Sequence, residues 1–131
     1  MAISSEDRMA IMDLLSRYNH AIDGGDTEAW LDCFTEDAVY EFPPDRRWEG
    51  IEQLREVAES RAANPDQPAS RHWLNNVLIE GDDQEARVTS YVMLLRLSDG
   101  PRINHTGMYR HTLRKVDGAW KFAHRRMDQD R

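Results

Sequence analysis

Two residues that lie far apart in this 131-residue chain have the types needed for proton transfer. Asp23 precedes Gly24-Gly25 at the predicted end of an amphipathic helix, and His72 lies near the start of the β-prone run 70–79. An acid near the C-terminal end of a helix faces the negative end of the helix dipole, which disfavours a carboxylate there. An Asp that holds a His forms a general acid/base unit. The two residues are therefore candidates for a catalytic dyad.

Each residue also has an ordinary structural interpretation. Asp is common beside Gly in turns, and a single His among apolar neighbours is more often a hydrogen-bonded core residue than a catalyst. His20, Asp23 and His72 could instead form a two-His-one-carboxylate metal site, since His20 and Asp23 have the i, i+3 spacing of one helix face. Only the residue types favour that metal site. Because a dyad of Asp23 and His72 needs no cofactor, we expect neither a metal nor an organic cofactor.

Other side chains suited to a pocket occur on both halves of the chain. Tyr18 has the spacing of a core residue, but a buried phenol needs a hydrogen-bond partner, which a substrate oxygen could provide. His105 and Tyr109 share one face of a predicted strand and could line a pocket. Aromatic side chains that fit either an apolar pocket or an ordinary core are Trp30, Phe34, Trp48 and Tyr91.

Composition limits the class of protein. The apolar content of 40% and the charged content of 31% are those of a soluble globular protein, and the length predicts one domain over 1–131. The net charge of −7 disfavours a nucleic-acid partner, because phosphate binding needs a basic face. The sequence shows no apolar run long enough for a membrane span and no signal peptide, so we expect a cytoplasmic protein without a membrane partner.

Hydrophobic periodicity predicts helices first and a meander of strands afterwards. The apolar positions of 5–23 follow helical spacing, and Asp99-Gly100 and Asp117-Gly118 are typical hairpin turns. The pattern predicts an α+β fold in which three N-terminal helices pack on one face of an antiparallel sheet. The predicted helices are 5–23, 27–34 and 51–63, and the predicted strands are 38–42, 46–49, 71–80, 85–98, 102–116 and 119–127.

Four features in this order resemble those of one protein family. They are the segment 34–40 after the Gly-rich turn, Glu49-Gly50 before the third helix, His72 at the start of a strand, and the run 118–125. Together they resemble the SnoaL-like branch of the nuclear transport factor 2-like superfamily over nearly the whole chain. The resemblance implies a cystatin-like α+β barrel, in which a curved, mainly antiparallel sheet forms a conical pocket closed by helices.

The resemblance also implies roles for particular residues. The chain is similar to scytalone dehydratase, bile acid 7α-dehydratase and hexachlorocyclohexane dehydrochlorinase, in which an acid after the first helix pairs with a strand histidine that acts as base. Asp23 and His72 stand at the matching positions, and Tyr18 stands where the bile acid dehydratase has a catalytic Tyr and the dehydrochlorinase a Lys. Further pocket residues implied by the resemblance are Asn76, Tyr91, His105 and Tyr109.

We therefore expect a cofactor-independent, dehydratase-like lyase that removes a proton from a small cyclic hydrophobic substrate. An isomerase resembling ketosteroid isomerase, a polyketide cyclase, and a non-catalytic binding or scaffold subunit stay open as alternatives on the same fold. An enzyme predicts a cavity with Asp23 and His72 at its floor, whereas a scaffold predicts a filled cavity or side chains that point apart. We also expect a homodimer or homotrimer, because a second copy commonly covers the exposed sheet face in this fold.

Overall fold

The structure is a computed structural model that describes residues 2–131. Two helices come first, then two strands, a third helix and four long strands. The elements are α1 Ser5–Gly24, α2 Thr27–Leu31, β1 Phe34–Phe42, β2 Arg46–Glu49, α3 Ile51–Ala63, β3 Ser70–Gly81, β4 Glu85–Arg96, β5 Arg102–Val116 and β6 Ala119–Gln129.

Both ends of α1 follow from its local sequence. The Ser4 hydroxyl accepts a hydrogen bond from the N–H of Asp7 at 3.0 Å and caps the N-terminus. Gly25 adopts a left-handed conformation with φ of 73° and donates its N–H to the carbonyl of Ala21, so the helix ends there. This ending places Asp23 in the last turn of α1, beside the start of β3.

The segment after α1 differs from the prediction. The helix predicted over 27–34 ends at Leu31, and β1 begins at Phe34, before the predicted strand 38–42. The N–H of Phe122 donates to the carbonyl of Cys33 at 2.8 Å, and Phe34 pairs with Phe122. Because Cys33 and Phe34 already pair with β6, the chain joins the sheet there and the helix ends at Leu31.

The six strands form one mixed sheet in the order β2-β1-β6-β5-β4-β3. All neighbours are antiparallel except β1 and β6, which are parallel. The α+β class and the predicted meander from β3 to β6 are confirmed. The sheet curves around the helices but does not close into a barrel, because the edge strands β2 and β3 do not pair with each other.

The inner face of the sheet packs on the helices. Directly paired residues of neighbouring strands lie on the same face, so the register determines which side chains meet. His72 pairs with Leu94, and Leu94 pairs with His105, which places these three residues side by side across β3, β4 and β5. The main core includes Ile11 and Leu14 of α1 against Val88, Leu113 and Phe122 of the sheet. None of the helices within residues 2–131 is both long and apolar enough to cross a membrane.

Candidate active site

A cavity of about 970 Å³ lies between the inner face of the sheet and the helices. Its volume is at the upper end of the range for small-molecule pockets. Buried Tyr18, Trp30 and Tyr109 contribute to its lining, and the half-buried His72 lies on its wall. The curved sheet therefore encloses space in addition to its packed core.

Asp23 and His72 meet beside this cavity through two hydrogen bonds. One carboxylate oxygen of Asp23, Oδ1, lies 2.6 Å from the Nδ1 of His72. The other oxygen, Oδ2, accepts the backbone N–H of His72 at 2.9 Å. The exposed fractions of the two side chains are only 17% and 14%, so water screens their contact weakly. Because both oxygens of one carboxylate bind one residue, the imidazole is fixed in position and orientation.

This contact determines which ring nitrogen is available for chemistry. An ionised carboxylate only accepts hydrogen bonds, so the Nδ1 of a neutral His72 carries the proton and donates to Asp23. The lone pair then lies on Nε2. His72 lines the cavity, and Asp23 and His72 together line an adjoining groove of about 600 Å³. The dyad thus offers one base with its carboxylate behind it, and the groove is the hollow that both side chains border.

Arg125 is a buried cation beneath two of the phenols that line the cavity. Its exposed fraction is 1%, and its guanidinium lies 3.5 Å from the ring centre of Tyr18 and 4.1 Å from that of Tyr109. Its Nη1 donates to the Nε2 of the buried His111 at 3.2 Å. Contacts of this kind between a cation and aromatic rings are strongest when both are desolvated.

The buried phenols stay protonated at neutral pH. Burial raises the pKa of Tyr18 well above its ordinary value, although the charge of Arg125 opposes this. Burial also raises the pKa of Tyr109, to about 12, against the same opposing charge. Both hydroxyls therefore remain hydrogen-bond donors, and the nearby cation makes each a better donor toward a developing negative charge.

The sequence did not single out Arg125 as a functional residue. Arg125 and Arg126 are adjacent on β6 and point to opposite faces, as strand periodicity requires. Arg126 binds Asp128 at the surface, whereas Arg125 turns inward. The available signal was strand parity with the buried Met127, two residues later. Counting from Phe122 gives the opposite face, because a bulge shifts the alternation between Phe122 and Arg125.

The predicted pocket residues divide into two groups. Trp30, Trp48, His105 and Tyr109 line the cavity, together with Tyr18 and His72. Three other predicted residues, Phe34, Asn76 and Tyr91, do not line this cavity. Phe34 is packed in the aromatic core against Trp30 and Phe122, Asn76 is exposed at an irregularity of β3, and Tyr91 is 54% exposed on the outer face of β4.

The alternative metal site is not formed. His20 is exposed on α1, and Asp23 is fully engaged by His72. Among residues 2–131 there is no group of three or more His, Cys, Asp or Glu side chains placed to hold a metal ion.

Comparison with protein families gives one match. The model of the SnoaL-like domain family matches residues 4–126, which is nearly the whole chain. The matched range contains α1, Asp23, His72 and Arg125, and therefore every group described at the cavity. A search of curated proteins finds no match.

Solved structures similar to this chain share its fold and differ in the activities their names suggest. A protein of unknown function with a cystatin-like fold from Nostoc punctiforme is 26% identical, with 99% of this chain and 96% of that chain covered and a TM-score of 0.88. A candidate aromatic ring hydroxylase from Novosphingobium aromaticivorans is 32% identical (96% and 90% covered, TM-score 0.82). A candidate scytalone dehydratase from the same species is 25% identical (96% and 85% covered, TM-score 0.84).

Proposed function

The chain belongs to the SnoaL-like domain family, and we propose that it is a cofactor-independent lyase of the dehydratase type. Its substrate is a small cyclic molecule with a proton next to an electron-withdrawing group. The observation that carries this proposal is the 2.6 Å contact between Asp23 and the Nδ1 of His72, which leaves the Nε2 lone pair free on a residue that lines the cavity. The name of the candidate scytalone dehydratase agrees with this reaction class.

In the proposed reaction, His72 removes a proton from carbon. The Nε2 of His72 takes the proton next to a carbonyl group, and the electron pair of that C–H bond moves to the carbonyl oxygen as an enolate. The enolate then forms the new C=C bond as a hydroxyl group leaves the neighbouring carbon. The imidazolium returns its proton to the departing hydroxide, so the products are the alkene and water and the enzyme is unchanged.

The remaining groups stabilise charge during these steps. Asp23 stabilises the imidazolium while it exists, as an orienting carboxylate does in a catalytic triad. The hydroxyls of Tyr18 and Tyr109, both at the cavity, donate hydrogen bonds to the enolate oxygen. Arg125 lies behind their rings and strengthens these donors as the negative charge develops.

The size of the cavity supports a second candidate function. A volume of about 970 Å³ exceeds what a single ring needs and would accommodate a longer, folded chain. A polyketide cyclase would use the same His72 base, but its carbanion would attack a carbonyl group within the same substrate. An isomerase would return the proton to another carbon. The product therefore distinguishes these reactions, whereas the base is common to all three.

The test is a proton-transfer assay with a cyclic β-hydroxyketone. Ultraviolet absorbance measures formation of the conjugated enone, and proton NMR in D₂O measures exchange of the α-proton. We expect wild-type protein to accelerate both processes and His72→Ala to lose about 10²- to 10⁴-fold in rate. His20→Ala, an exposed histidine of α1, is the control and should keep the wild-type rate. Unchanged rates in His72→Ala would show that another group is the base.

A further inference from the structure

Three arginines line the cavity, although the chain as a whole is acidic. Arg46 of β2, Arg61 of α3 and Arg96 of β4 contribute to the lining, and Glu56 is the one carboxylate among the lining residues. The net charge of the full chain is −7. This cavity therefore concentrates positive charge in a protein that is otherwise negative.

Two of these arginines converge on one buried residue. Ser70 at the start of β3 is the direct partner of Arg96 on β4, so the two residues lie side by side on the inner face. The Nη2 of Arg61 is 3.5 Å from the Ser70 hydroxyl. Arg61 therefore contacts the residue that neighbours Arg96 in the sheet, two residues before the dyad histidine His72.

The third arginine, Arg46, lies on the side of the cavity formed by Phe42 and His105. The guanidinium carbon of Arg46 lies 4.1 Å from the ring centre of Phe42. The rings of Phe42 and His105 are nearly perpendicular, with their centres 6.4 Å apart. His105 is the neighbour of Leu94, which separates it from His72. Burial lowers the pKa of His105, and the nearby His72, Arg96 and Arg46 add to this effect. The positive charges of Arg46 and Arg96 therefore act on His105, and its imidazole stays neutral.

The charges of this cluster are not neutralised within the protein. No carboxylate of residues 2–131 forms an ion pair with Arg46, Arg61 or Arg96, and the Nη1 of Arg96 is buried without a hydrogen-bond partner. Elsewhere in the molecule, arginines that do pair with carboxylates are Arg47, Arg55, Arg110, Arg114 and Arg126. A guanidinium at a cavity without a carboxylate partner keeps its charge available for a bound anion.

We propose that the substrate carries a carboxylate, which Arg96 and Arg46 bind while its ring lies against the aromatic lining near His72. This inference rests on the proposed function and specifies its substrate class as small cyclic acids. Guanidinium groups match the planar geometry of a carboxylate and bind it through two parallel hydrogen bonds. A cavity with low-dielectric walls also focuses the field of its arginines, so it attracts anions despite the net negative charge.

The test compares two ligands that differ only in charge. Binding of 1-naphthoate and of neutral 1-naphthamide is measured by NMR titration of wild type, Arg96→Gln, Arg46→Gln and Arg87→Gln. Arg87 is exposed on the outer face of β4 and is the matched control. We expect naphthoate to bind wild type about tenfold more tightly than the amide, since that ratio corresponds to one charge-assisted contact of about 1.4 kcal/mol. Both cavity variants should reduce the ratio, whereas Arg87→Gln should preserve it.

The outcome of this binding test does not depend on whether the protein catalyses the proposed elimination. The same titration of His72→Ala should keep the preference for naphthoate, because that substitution removes the base and leaves all three arginines. A failed elimination assay would therefore overturn the proposed lyase activity, and the preference for naphthoate over naphthamide could still be measured. Equal affinities for the two ligands, no detectable naphthoate binding, or a ratio that survives in both Arg96→Gln and Arg46→Gln would overturn the carboxylate site.

Discussion

Asp23 lies where the dipole of α1 disfavours a carboxylate, and two hydrogen bonds from His72 compensate for that position. An exposed acid at such a site loses about 0.3 to 1 kcal/mol, which is comparable to the gain from a single hydrogen bond. Here both carboxylate oxygens are used, one by the ring and one by the backbone N–H. A position that is unfavourable for the helix alone thus becomes the point that fixes the histidine.

Arg125 is the second residue whose environment is unusual. Arg125→Met removes the cation and keeps an apolar side chain of similar length. We expect the free energy of unfolding to change by less than about 2 kcal/mol, because the lost ring contacts are offset by the desolvation that the cation no longer incurs. Turnover should fall at least about tenfold, because the phenols lose the charge that makes them better donors. Denaturant unfolding and steady-state kinetics measure the two effects.

Arg125→Lys provides the control for this prediction. It keeps the charge beneath Tyr18 and Tyr109 and should retain more activity than Arg125→Met. Equal activity in wild type and Arg125→Met would assign Arg125 to packing alone.

At the scale of elements, the end of α1 determines where the carboxylate lies. Gly25 has a φ of 73°, which an alanine adopts only with strain, whereas Gly24 lies within the helix, and neither would place a new Cβ within 4 Å of another group. Gly25→Ala should therefore lower the free energy of unfolding by about 1 to 2 kcal/mol. Gly24→Ala should maintain it or raise it by up to about 1 kcal/mol. Equal effects in a denaturant titration would contradict the assigned helix end.

A histidine buried between β5 and β6 makes the free energy of unfolding depend on pH. His111 of β5 is buried beside Arg125 of β6, and burial, with the charge of Arg125, holds its pKa well below the ordinary value of 6.5. Below that value the unfolded chain binds a proton that the folded chain does not. The free energy of unfolding should therefore fall as the pH drops from about 6.5, by up to about 1.4 kcal/mol per pH unit for this group.

His111→Asn tests this pH dependence because it removes the titrating group. Denaturant unfolding between pH 7.5 and pH 5 should show a shallower loss of stability in the variant than in wild type. His20→Asn, at an exposed site of α1, is the control variant. Identical slopes in wild type and His111→Asn would show that His111 is not the group responsible.

Elements with a strong hydrophobic periodicity could be predicted from the sequence, whereas short elements could not. The apolar stripe of α1 and the Asp-Gly turns before β5 and β6 locate those elements within a few residues. The helix predicted over 27–34 was too long, because local periodicity cannot show that Phe34 pairs with Phe122, 88 residues later in the chain. Pairing partners distant in sequence determine such boundaries.

The same limit applies to the site. Residue types made Asp23 and His72 candidates for a dyad, and the resemblance to the SnoaL-like family implied that they pair. Asn76 was misplaced because an irregularity of β3 breaks the alternation of faces there. The inward positions of Arg125 and Arg96 depend on which face each strand turns inward, and that is determined by the packing of the whole sheet.

At the scale of the whole molecule, part of the outer sheet face is apolar. Trp73 and Leu78 of β3 and Tyr91 of β4 are 59%, 66% and 54% exposed, and a groove of about 610 Å³ lies beside Trp73 and Tyr91. The adjoining part of this face is polar and includes the contact of Arg110 with Asp128 at 2.7 Å. A second copy that covers the apolar part would bury Trp73, Leu78 and Tyr91.

We propose that the chain forms a homodimer through this apolar part of the outer face, because a two-fold axis places like surfaces together. Light scattering after size-exclusion chromatography should give twice the chain mass. Trp73→Glu should give the mass of a single chain, and Met9→Glu, on exposed α1, should leave the dimer intact. A monomeric wild type, a trimer, or a dimer that survives Trp73→Glu would exclude this interface.

In the proposed mechanism Asp23 holds His72 with its Nε2 free to accept a proton, and the ring nitrogens of His72 report directly on this arrangement. Nitrogen-15 NMR of histidine-labelled protein at pH above 7 distinguishes protonated from unprotonated ring nitrogens. We predict that His72 shows a protonated Nδ1 and an unprotonated Nε2, and that Asp23→Asn removes this preference. A proton on Nε2 in wild type, or the same tautomer in Asp23→Asn, would contradict the account.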